Sequence, residues 1–160
     1  MSAISHFRSV SDGTLTPMAS EGTSRLLLDT HIWIWLMNGN DERLDTKTIH
    51  AIEQAAAHGR VYVSAISVWE VALLESRGRI RLSRDCLDWV RQALDAPGVL
   101  LLPLSPEISV ASSRLPGKFH GDPADRILAA SARLHDLSIV THDERILAYG
   151  AEQYVSVLNR

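Results

Sequence analysis

The sequence lacks several features on which whole classes of protein depend. Its single cysteine, Cys86, cannot form an internal disulfide, and it excludes zinc and iron–sulfur sites built from the cysteines of one chain. No hydrophobic run approaches the roughly 20 residues that a membrane helix needs, since Ile32–Met37 and Val99–Leu104 are far shorter. Residues 1–24 contain no hydrophobic signal core, so export is not expected. A reducing cytoplasm is therefore the simplest expected location.

Positive charge is also scarce. The 160 residues include 16 Lys and Arg against 19 Asp and Glu, a net charge of −3, which argues against a protein that wraps DNA through a strongly basic surface. The apolar fraction of 46% is ample for a packed core. We predict that residues 1–24, rich in Ser, Thr and Gly, form a flexible tail and that residues 25–160 form one folded domain.

Short apolar runs alternate with helical patterns from Arg25 onward. The predicted strands are Leu26–Leu28, Val61–Val63, Val99–Leu104, Ser138–Val140 and Tyr154–Leu158. The predicted helices are Ile32–Met37, Asp45–His58, Ser67–Arg77, Ser83–Leu94, Pro106–Arg114, Pro123–His135 and a short helix from Glu144. The unbroken run Leu26–Leu28 is typical of a strand that is buried on both faces. Strands separated by helices predict an α/β fold with a mainly parallel sheet.

Acidic residues recur where the predicted strands end and the next helices begin. These residues are Asp29, Glu70, Asp122, Asp125 and Asp143. Ligands of parallel α/β sheets bind at the carboxyl ends of the strands. The five acids are therefore predicted to lie along one edge of the sheet.

Helix capping is an alternative explanation for each of these acids. Ser67 and Glu70 fit a capping box, Asp122 precedes a proline that starts a helix, and Asp29 and Asp143 could cap the helices after them. Capping alone, however, could be served by Ser, Thr or Asn. Several carboxylates in one cleft repel one another unless a cation is present, and oxygen ligands suit Mg²⁺ or Mn²⁺. Such a site is typical of metal-assisted phosphodiester hydrolysis.

Four segments in this order carry a family resemblance. They read Leu-Leu-Leu-Asp29-Thr30-His31, Ser67-Val68-Trp69-Glu70-Val71-Ala72, His120-Gly121-Asp122-Pro123-Ala124-Asp125-Arg126 and Val140-Thr141-His142-Asp143. Together they resemble a PIN domain, specifically the VapC-type toxins of bacterial toxin–antitoxin pairs, from Arg25 to the C-terminus. The resemblance implies a three-layer α/β/α sandwich, a Mg²⁺- or Mn²⁺-dependent endoribonuclease, a cognate antitoxin and a homodimer.

The resemblance also implies roles for individual residues. Asp29, Glu70, Asp125 and Asp143 match the acidic quartet of the family, with Asp29 and Asp125 as the main direct metal ligands. Glu70 would position water or act as a base, and Asp143 would bind metal through water or hold a second ion. Thr141 matches the hydroxyl that accompanies the fourth acid.

Neighbouring residues are expected to support this site. Asp122 is an additional acid and a possible metal ligand that ranks below Asp125. Arg126 could pair with Asp125 or touch the scissile phosphate, and His120 could face RNA or orient a neighbour by a hydrogen bond. No HExxH pattern is present, so a histidine zinc site has little support.

Four clustered arginines and four tryptophans leave alternatives open. Arg77, Arg79, Arg81 and Arg84 could form a solvated loop, contact RNA or dock an antitoxin. The tryptophans Trp33, Trp35, Trp69 and Trp89 are expected to pack in a core or interface rather than stack on bases, and Cys86 is expected to be buried.

Two other classes of α/β protein gather acids at strand ends but fit this sequence less well. A response-regulator receiver needs a lysine late in the sheet, but the only lysines are Lys47 and Lys118. A HAD-type phosphatase needs a second acid two residues after Asp29, where His31 stands. A catalytically inactive PIN module that only binds RNA or protein is the main alternative.

Overall fold

The computed structural model describes residues 23–158. Its strands are β1 (Leu26–Leu28), β2 (Val61–Ser64), β3 (Val99–Leu102), β4 (Ser138–Val140) and β5 (Ser156–Val157). Its α-helices are α1 (Thr30–Asn38), α2 (Thr46–Ala57), α3 (Ala65–Ser76), α4 (Cys86–Leu94), α5 (Pro106–Ser113), α6 (Pro123–His135) and α7 (Glu144–Ala151). A short 3₁₀ helix, Asp41–Arg43, follows α1. The predicted tail lies almost wholly outside the described residues, so it stays a prediction.

The five strands form one parallel sheet in the order β3-β2-β1-β4-β5. Strand β1 lies at the centre, and Leu28 is aligned with Val63 of β2 on one side and with Val140 of β4 on the other. The chain passes from β1 to β2 on one side and later returns to β4 on the opposite side. The strand order thus reverses between β1 and β4, which is where parallel sheets open a ligand-binding crevice.

Helices cover both faces of the sheet, as the resemblance implied. Leu26 and Leu28 pack into one apolar cluster, with Ile32 of α1, Ile52 of α2 and Trp89 of α4. Leu27 points to the opposite face, where the cluster includes Ile108 of α5, Leu128 of α6 and Ile146 of α7. Alternate side chains of a strand face opposite ways, so the central Leu run fills two cores at once. The predicted α/β/α sandwich with a parallel sheet is confirmed.

Several predicted boundaries shift for local reasons. Helix α4 begins at Cys86 rather than Ser83, because the side chain of Asp85 accepts hydrogen bonds from the amides of Leu87 and Asp88 and so caps it. Strand β3 ends at Leu102, one residue before Pro103, which has no amide to donate to a ladder. Helix α6 and strand β4 match their predicted bounds.

Two burial predictions are wrong. Helical spacing along Pro123–His135 predicts that Leu134 lies on the inner face of α6, but Leu134 is 50% exposed. Cys86 is half-buried rather than buried. Trp69 is 54% exposed, so it does not pack in the core of this chain, and its packing in an interface stays a prediction. Across residues 23–158, no helix combines the length and the apolar character needed to cross a bilayer.

Candidate active site

Asp29 and Thr141 face each other where the strand order reverses. Asp29 follows β1 and is 5% exposed, and Thr141 follows β4 and is 6% exposed. The Thr141 hydroxyl donates a 2.6 Å hydrogen bond to Oδ2 of Asp29 and accepts one of 2.9 Å from the amide of Asp143. Asp29 occupies the N-cap position of α1 without a side-chain capping bond. Capping therefore does not explain this carboxylate, and its orientation comes from Thr141.

Glu70 is held over the same cleft by two buried hydroxyls. Oγ1 of Thr30 lies 2.7 Å from Oε1 of Glu70 and 2.8 Å from Oγ of Ser67. A hydroxyl has one hydrogen to donate, so when Glu70 is ionised Thr30 donates to it and accepts from Ser67. Helix α3 begins at Ala65 with Ser64 as its cap, so the capping box of Ser67 and Glu70 is wrong.

Asp122 and Asp143 do cap helices. Oδ1 of Asp122 accepts from the amides of Ala124 and Asp125 at 3.0 and 3.2 Å. Oδ1 of Asp143 accepts from the amides of Arg145 and Ile146 at 2.8 and 3.1 Å. The capping alternative thus holds for these two acids. Each has a second carboxylate oxygen that these capping bonds leave available to the cleft.

The surroundings shift the pKa values of the carboxyl groups in different directions. Burial raises the pKa of Asp29, although the hydrogen bond from Thr141 opposes the shift. Burial also raises the pKa of Glu70, with Asp29 and Asp122 adding to the rise and Thr30 opposing it. For Asp143, burial acts upward, but the amides of its helix and the Arg145 guanidinium outweigh it, so its pKa is lowered.

Asp125 is the carboxyl that its surroundings perturb most clearly. Its side chain is 14% exposed. Burial and then the charges of Asp122, Asp29, Asp143 and Glu70 raise its pKa from 3.8 to about 7. The other four predicted acids therefore all act electrostatically on Asp125, which lies within range of each of them. At neutral pH the set is short of positive charge.

His120, Asp125 and Asp143 form the tightest group of possible ligands. One ligand atom from each lies within 4.8 Å of the others, and Asp29 and Glu70 are outside this group. Nε2 of His120 lies 3.3 Å from Oδ2 of Asp125, but the two atoms do not meet the geometry of a hydrogen bond. Nε2 is therefore a buried atom without a hydrogen-bond partner among the described residues. Both neighbours of its Nδ1, the Asp122 amide and the Arg145 guanidinium, are donors at 3.4 Å, which puts the ring proton on Nε2.

The guanidinium of Arg145 reaches every member of this group. Its Nη2 lies 3.5 Å from Oδ2 of Asp143 and 3.9 Å from Oδ2 of Asp125, and its Nη1 lies 3.4 Å from Nδ1 of His120. Burial and then this guanidinium lower the pKa of His120, which keeps the ring neutral. Arg145 thus supplies part of the positive charge that the acids lack.

The donor set fits a small divalent cation. Carboxylate oxygens dominate it, and burial together with the charges of the other acids raises the pKa of Asp125, a cost to its ionised form that a cation would relieve. Mg²⁺ and Mn²⁺ prefer such oxygen ligands, whereas the histidine proton placed on Nε2 makes that atom a donor rather than a ligand. Asp125 and Asp143 are the two acids whose oxygens lie close enough to share one ion, and Asp29 lies outside this close group.

Arg126 does not pair with Asp125, one of the two roles predicted for it. Its guanidinium donates to three backbone carbonyls, those of Ser112 at 2.8 Å, Phe119 at 3.2 Å and His120 at 3.1 Å. It therefore turns away from Asp125 and pins the loop that leads into α6. It supports the site by holding His120 in place rather than by touching the acids.

Three residues of the cleft were missed from the sequence. Thr30 and Ser67 orient Glu70, and Arg145 spans the acids, yet none was selected. The signals were present, because Thr30 directly follows the first acid and Arg145 lies two residues after the fourth. A side chain that begins a helix beside a predicted acid is worth testing as its partner.

Replacing Thr141 by valine is expected to lower RNA cleavage or metal affinity about 10- to 100-fold, the usual cost of losing a residue that orients a ligand. The change removes the donor to Asp29 and the acceptor for the Asp143 amide while preserving shape. Cleavage rates and Mn²⁺ titration by calorimetry would measure it. Thr141→Ser keeps the hydroxyl and should retain most function; equal losses in both variants would contradict the orienting role.

Comparison with known proteins places this cleft in a family. The family model of the PIN domain matches residues 26–152. The chain is 34% identical over 132 residues to ribonuclease VapC22 of Mycobacterium tuberculosis, covering 82% of this chain and 97% of that protein.

Solved structures share the fold at lower identity. VapBC2 from Rickettsia felis, bound to a DNA fragment from its promoter, aligns with a TM-score of 0.60 at 14% identity, covering 84% of this chain and 97% of that one. FitAcB from Neisseria gonorrhoeae aligns with a TM-score of 0.53 at 22% identity, covering 84% and 96%. The family model spans most of the described residues, including Asp29, Glu70, Asp125 and Asp143. The chain therefore belongs to the PIN domain family.

Proposed function

We propose that this protein is a Mg²⁺- or Mn²⁺-dependent endoribonuclease and the toxin of a toxin–antitoxin pair. The observation that carries the proposal is the convergence of five acids at the β1–β4 crevice, where burial and the charges of the other acids raise the pKa of Asp125 to about 7. The 34% identity to a ribonuclease named VapC supports the choice of RNA as substrate.

The residues of the cleft divide the work of hydrolysis. Asp29 and Asp125 are the main ligands for the ion, with Asp143 beside them and Asp122 the weakest candidate. When bound, the ion lowers the pKa of a coordinated water and stabilises negative charge on the phosphate. Thr141 keeps Asp29 oriented, and Arg126 holds the loop that carries His120.

Glu70 is the candidate base. Burial raises the pKa of its carboxyl, and a higher pKa makes it a better proton acceptor. The hydrogen bond from Thr30 fixes its Oε1, which leaves Oε2 to take the proton from the attacking water. The water oxygen bonds to phosphorus as the bond from phosphorus to the 3′ oxygen breaks. The 3′ oxygen leaves with the electron pair of that bond and takes a proton from solvent, so the products are a 5′-phosphate and a 3′-hydroxyl.

The proposed partners follow from the same likeness. The VapBC and FitAB neighbours are toxin–antitoxin complexes, which supports a cognate antitoxin that blocks the acidic cleft. A homodimer and a cytoplasmic location are proposed with it, as expected for a toxin that acts on cellular RNA.

The test is cleavage by purified protein freed of any antitoxin. End-labelled transfer RNA and ribosomal RNA fragments should be cut in Mg²⁺ or Mn²⁺, and EDTA should abolish cutting. An Asp125→Asn variant purified in parallel controls for contaminating nucleases. Cleavage that persists in EDTA would contradict the metal requirement. Absence of cleavage by a protein that still binds Mn²⁺ would favour the inactive binding module.

A further inference from the structure

A groove beside the acidic cleft has an unusual mixture of side chains. Its volume is about 360 Å³, and its lining includes Trp69, Leu73, Arg77, Arg79 and Asp122. Glu70 also lines it, so the groove is continuous with the proposed catalytic acids. We refer to it as the Trp69 groove. Its size lies within the range of about 300–1,000 Å³ that is usual for ligand sites.

Trp69 is available to a ligand rather than used for packing. It is 54% exposed, whereas Trp33 and Trp89 are 0% and 4% exposed in the core. Its exposed indole offers a large apolar face and a polar N–H, a combination that suits base stacking or a protein contact.

The arginines are placed by the end of helix α3. The amides of Arg77, Gly78 and Arg79 donate to the carbonyls of Leu73, Glu75 and Leu74, so this turn is tied to the helix. Gly78 has φ 65°, a left-handed conformation that favours glycine and closes such a turn. Residues three, four and seven apart share one face of a helix, so Glu70, Leu73, Leu74 and Arg77 form one wall. Arg77 lies about 10 Å from Glu70 along the helix axis.

The four arginines that the sequence grouped together separate in the fold. Arg77 and Arg79 line the Trp69 groove, whereas Arg81 and Arg84 line a different cavity with Met37. Only the first pair adjoins the acids. An aromatic face next to two guanidinium groups is the combination that binds unpaired RNA, by stacking a base and pairing with phosphate.

We infer that the Trp69 groove binds one unpaired nucleotide of the RNA next to the bond that is cut, with its base on Trp69 and its phosphate on Arg77 and Arg79. This inference rests on the proposed function and adds to it the requirement for single-stranded RNA at the cut site. The acids of the cleft would repel phosphates elsewhere on the RNA. The arginines of the groove would attract the RNA phosphate beside them and so offset that repulsion.

The first measurement is binding of a fluorescein-labelled, single-stranded RNA octamer by anisotropy in EDTA, where the proposed metal-dependent cleavage cannot occur. Trp69→Ala is expected to weaken binding roughly 5- to 150-fold, the usual range for loss of one stacked base, while Trp69→Phe retains most of it. Leu134→Ala is the matched control, since Leu134 is 50% exposed on α6 and lies outside the groove. RNA should also quench tryptophan fluorescence in wild type and not in Trp69→Phe.

The second measurement is the salt dependence of that binding. Arg77→Gln and Arg79→Gln should each reduce the slope of log affinity against log salt by about 0.7. Arg91→Gln, an exposed arginine on α4, should leave the slope unchanged.

The outcomes separate this inference from the proposed function. If the wild-type protein binds the octamer through Trp69 but never cleaves RNA, the inferred role of the groove is supported and the proposed nuclease function is contradicted. If Trp69→Ala cleaves RNA and binds the octamer as tightly as wild type, the inferred role of the groove is contradicted and the proposed nuclease function is supported. If Trp69→Ala instead converts a dimer to a monomer at unchanged RNA affinity, measured by light scattering, then a second copy covers the indole and the inference is overturned.

Discussion

Replacing Asp29 by asparagine is expected to reduce RNA cleavage about 10²- to 10³-fold, the usual cost of losing one preorganised electrostatic group, and to leave the protein at least as stable as wild type. The two effects have one cause. Asp29 is 5% exposed, and burial raises its pKa, so its negative charge opposes folding in the metal-free protein. Asparagine removes that charge, and its amide oxygen can still accept the hydrogen bond from Thr141.

A matched control is available on the surface. Asp45 caps α2, and the hydrogen bonds from Thr48 lower its pKa, so its charge favours folding. Asp45→Asn should therefore keep cleavage and lose a little stability, the opposite pattern. Single-turnover cleavage and urea unfolding in EDTA measure the two quantities. Equal cleavage by wild type and Asp29→Asn would remove Asp29 from the reaction, and a large loss of stability in Asp29→Asn would refute the account of its buried charge.

The free energy of unfolding of the metal-free protein is expected to fall as the pH rises from about 4 to about 7, because of Asp125. In this window the folded protein keeps Asp125 protonated, since its pKa is about 7, whereas the unfolded chain ionises it near 3.8. The folded state binds the additional proton, so raising the pH favours unfolding, by about 1.4 kcal/mol per pH unit. Over the window this amounts to a few kcal/mol.

Asp125→Asn should remove the contribution of Asp125 to this pH-dependent loss, while Asp29 and Glu70, whose pKa values are also raised by burial, keep theirs. It should also abolish tight Mn²⁺ binding. Asp122→Asn is the informative comparison, because asparagine still caps α6 and because Asp122 contributes to the raised pKa of Asp125. Asp122→Asn should lower the pKa of Asp125 and so narrow the pH range over which stability falls, and it should still bind Mn²⁺. Unfolding curves at pH 5, 6, 7 and 8, with and without Mn²⁺, provide the readout. Parallel pH profiles for wild type and Asp125→Asn would show that Asp125 is not perturbed.

Much of the fold was accessible from the sequence because its signals are local. The apolar run Leu26–Leu28 marks a strand buried on both faces, and Asp122-Pro123 marks the first turn of α6, which begins where predicted. The positions of the acids follow from these elements, because parallel strands bring their carboxyl ends to one edge. Predicting the edge required no knowledge of side-chain contacts.

What the sequence did not predict depends on which way side chains turn. Helical spacing placed Leu134 with the core residues of α6, but the spacing does not say how wide the buried face is, and Leu134 is exposed. Arg126 stands next to Asp125 in sequence, yet neighbours on a helix point about 100° apart, and its guanidinium reaches loop carbonyls instead. The bond from Thr30 to Glu70 depends on how α1 packs against α3, which no local pattern encodes.

The pairing of β1 with β4 has a consequence for folding during synthesis on the ribosome. Asp29 and Thr141, which this pairing joins, are 112 residues apart, and contacts that distant form late because closing long loops is entropically costly. A chain still on the ribosome and not yet extended past β4 contains Asp29, Glu70 and Asp125 without Thr141 or Asp143. Translation itself thus delays completion of the cleft until β4 and the residues that follow it have been made.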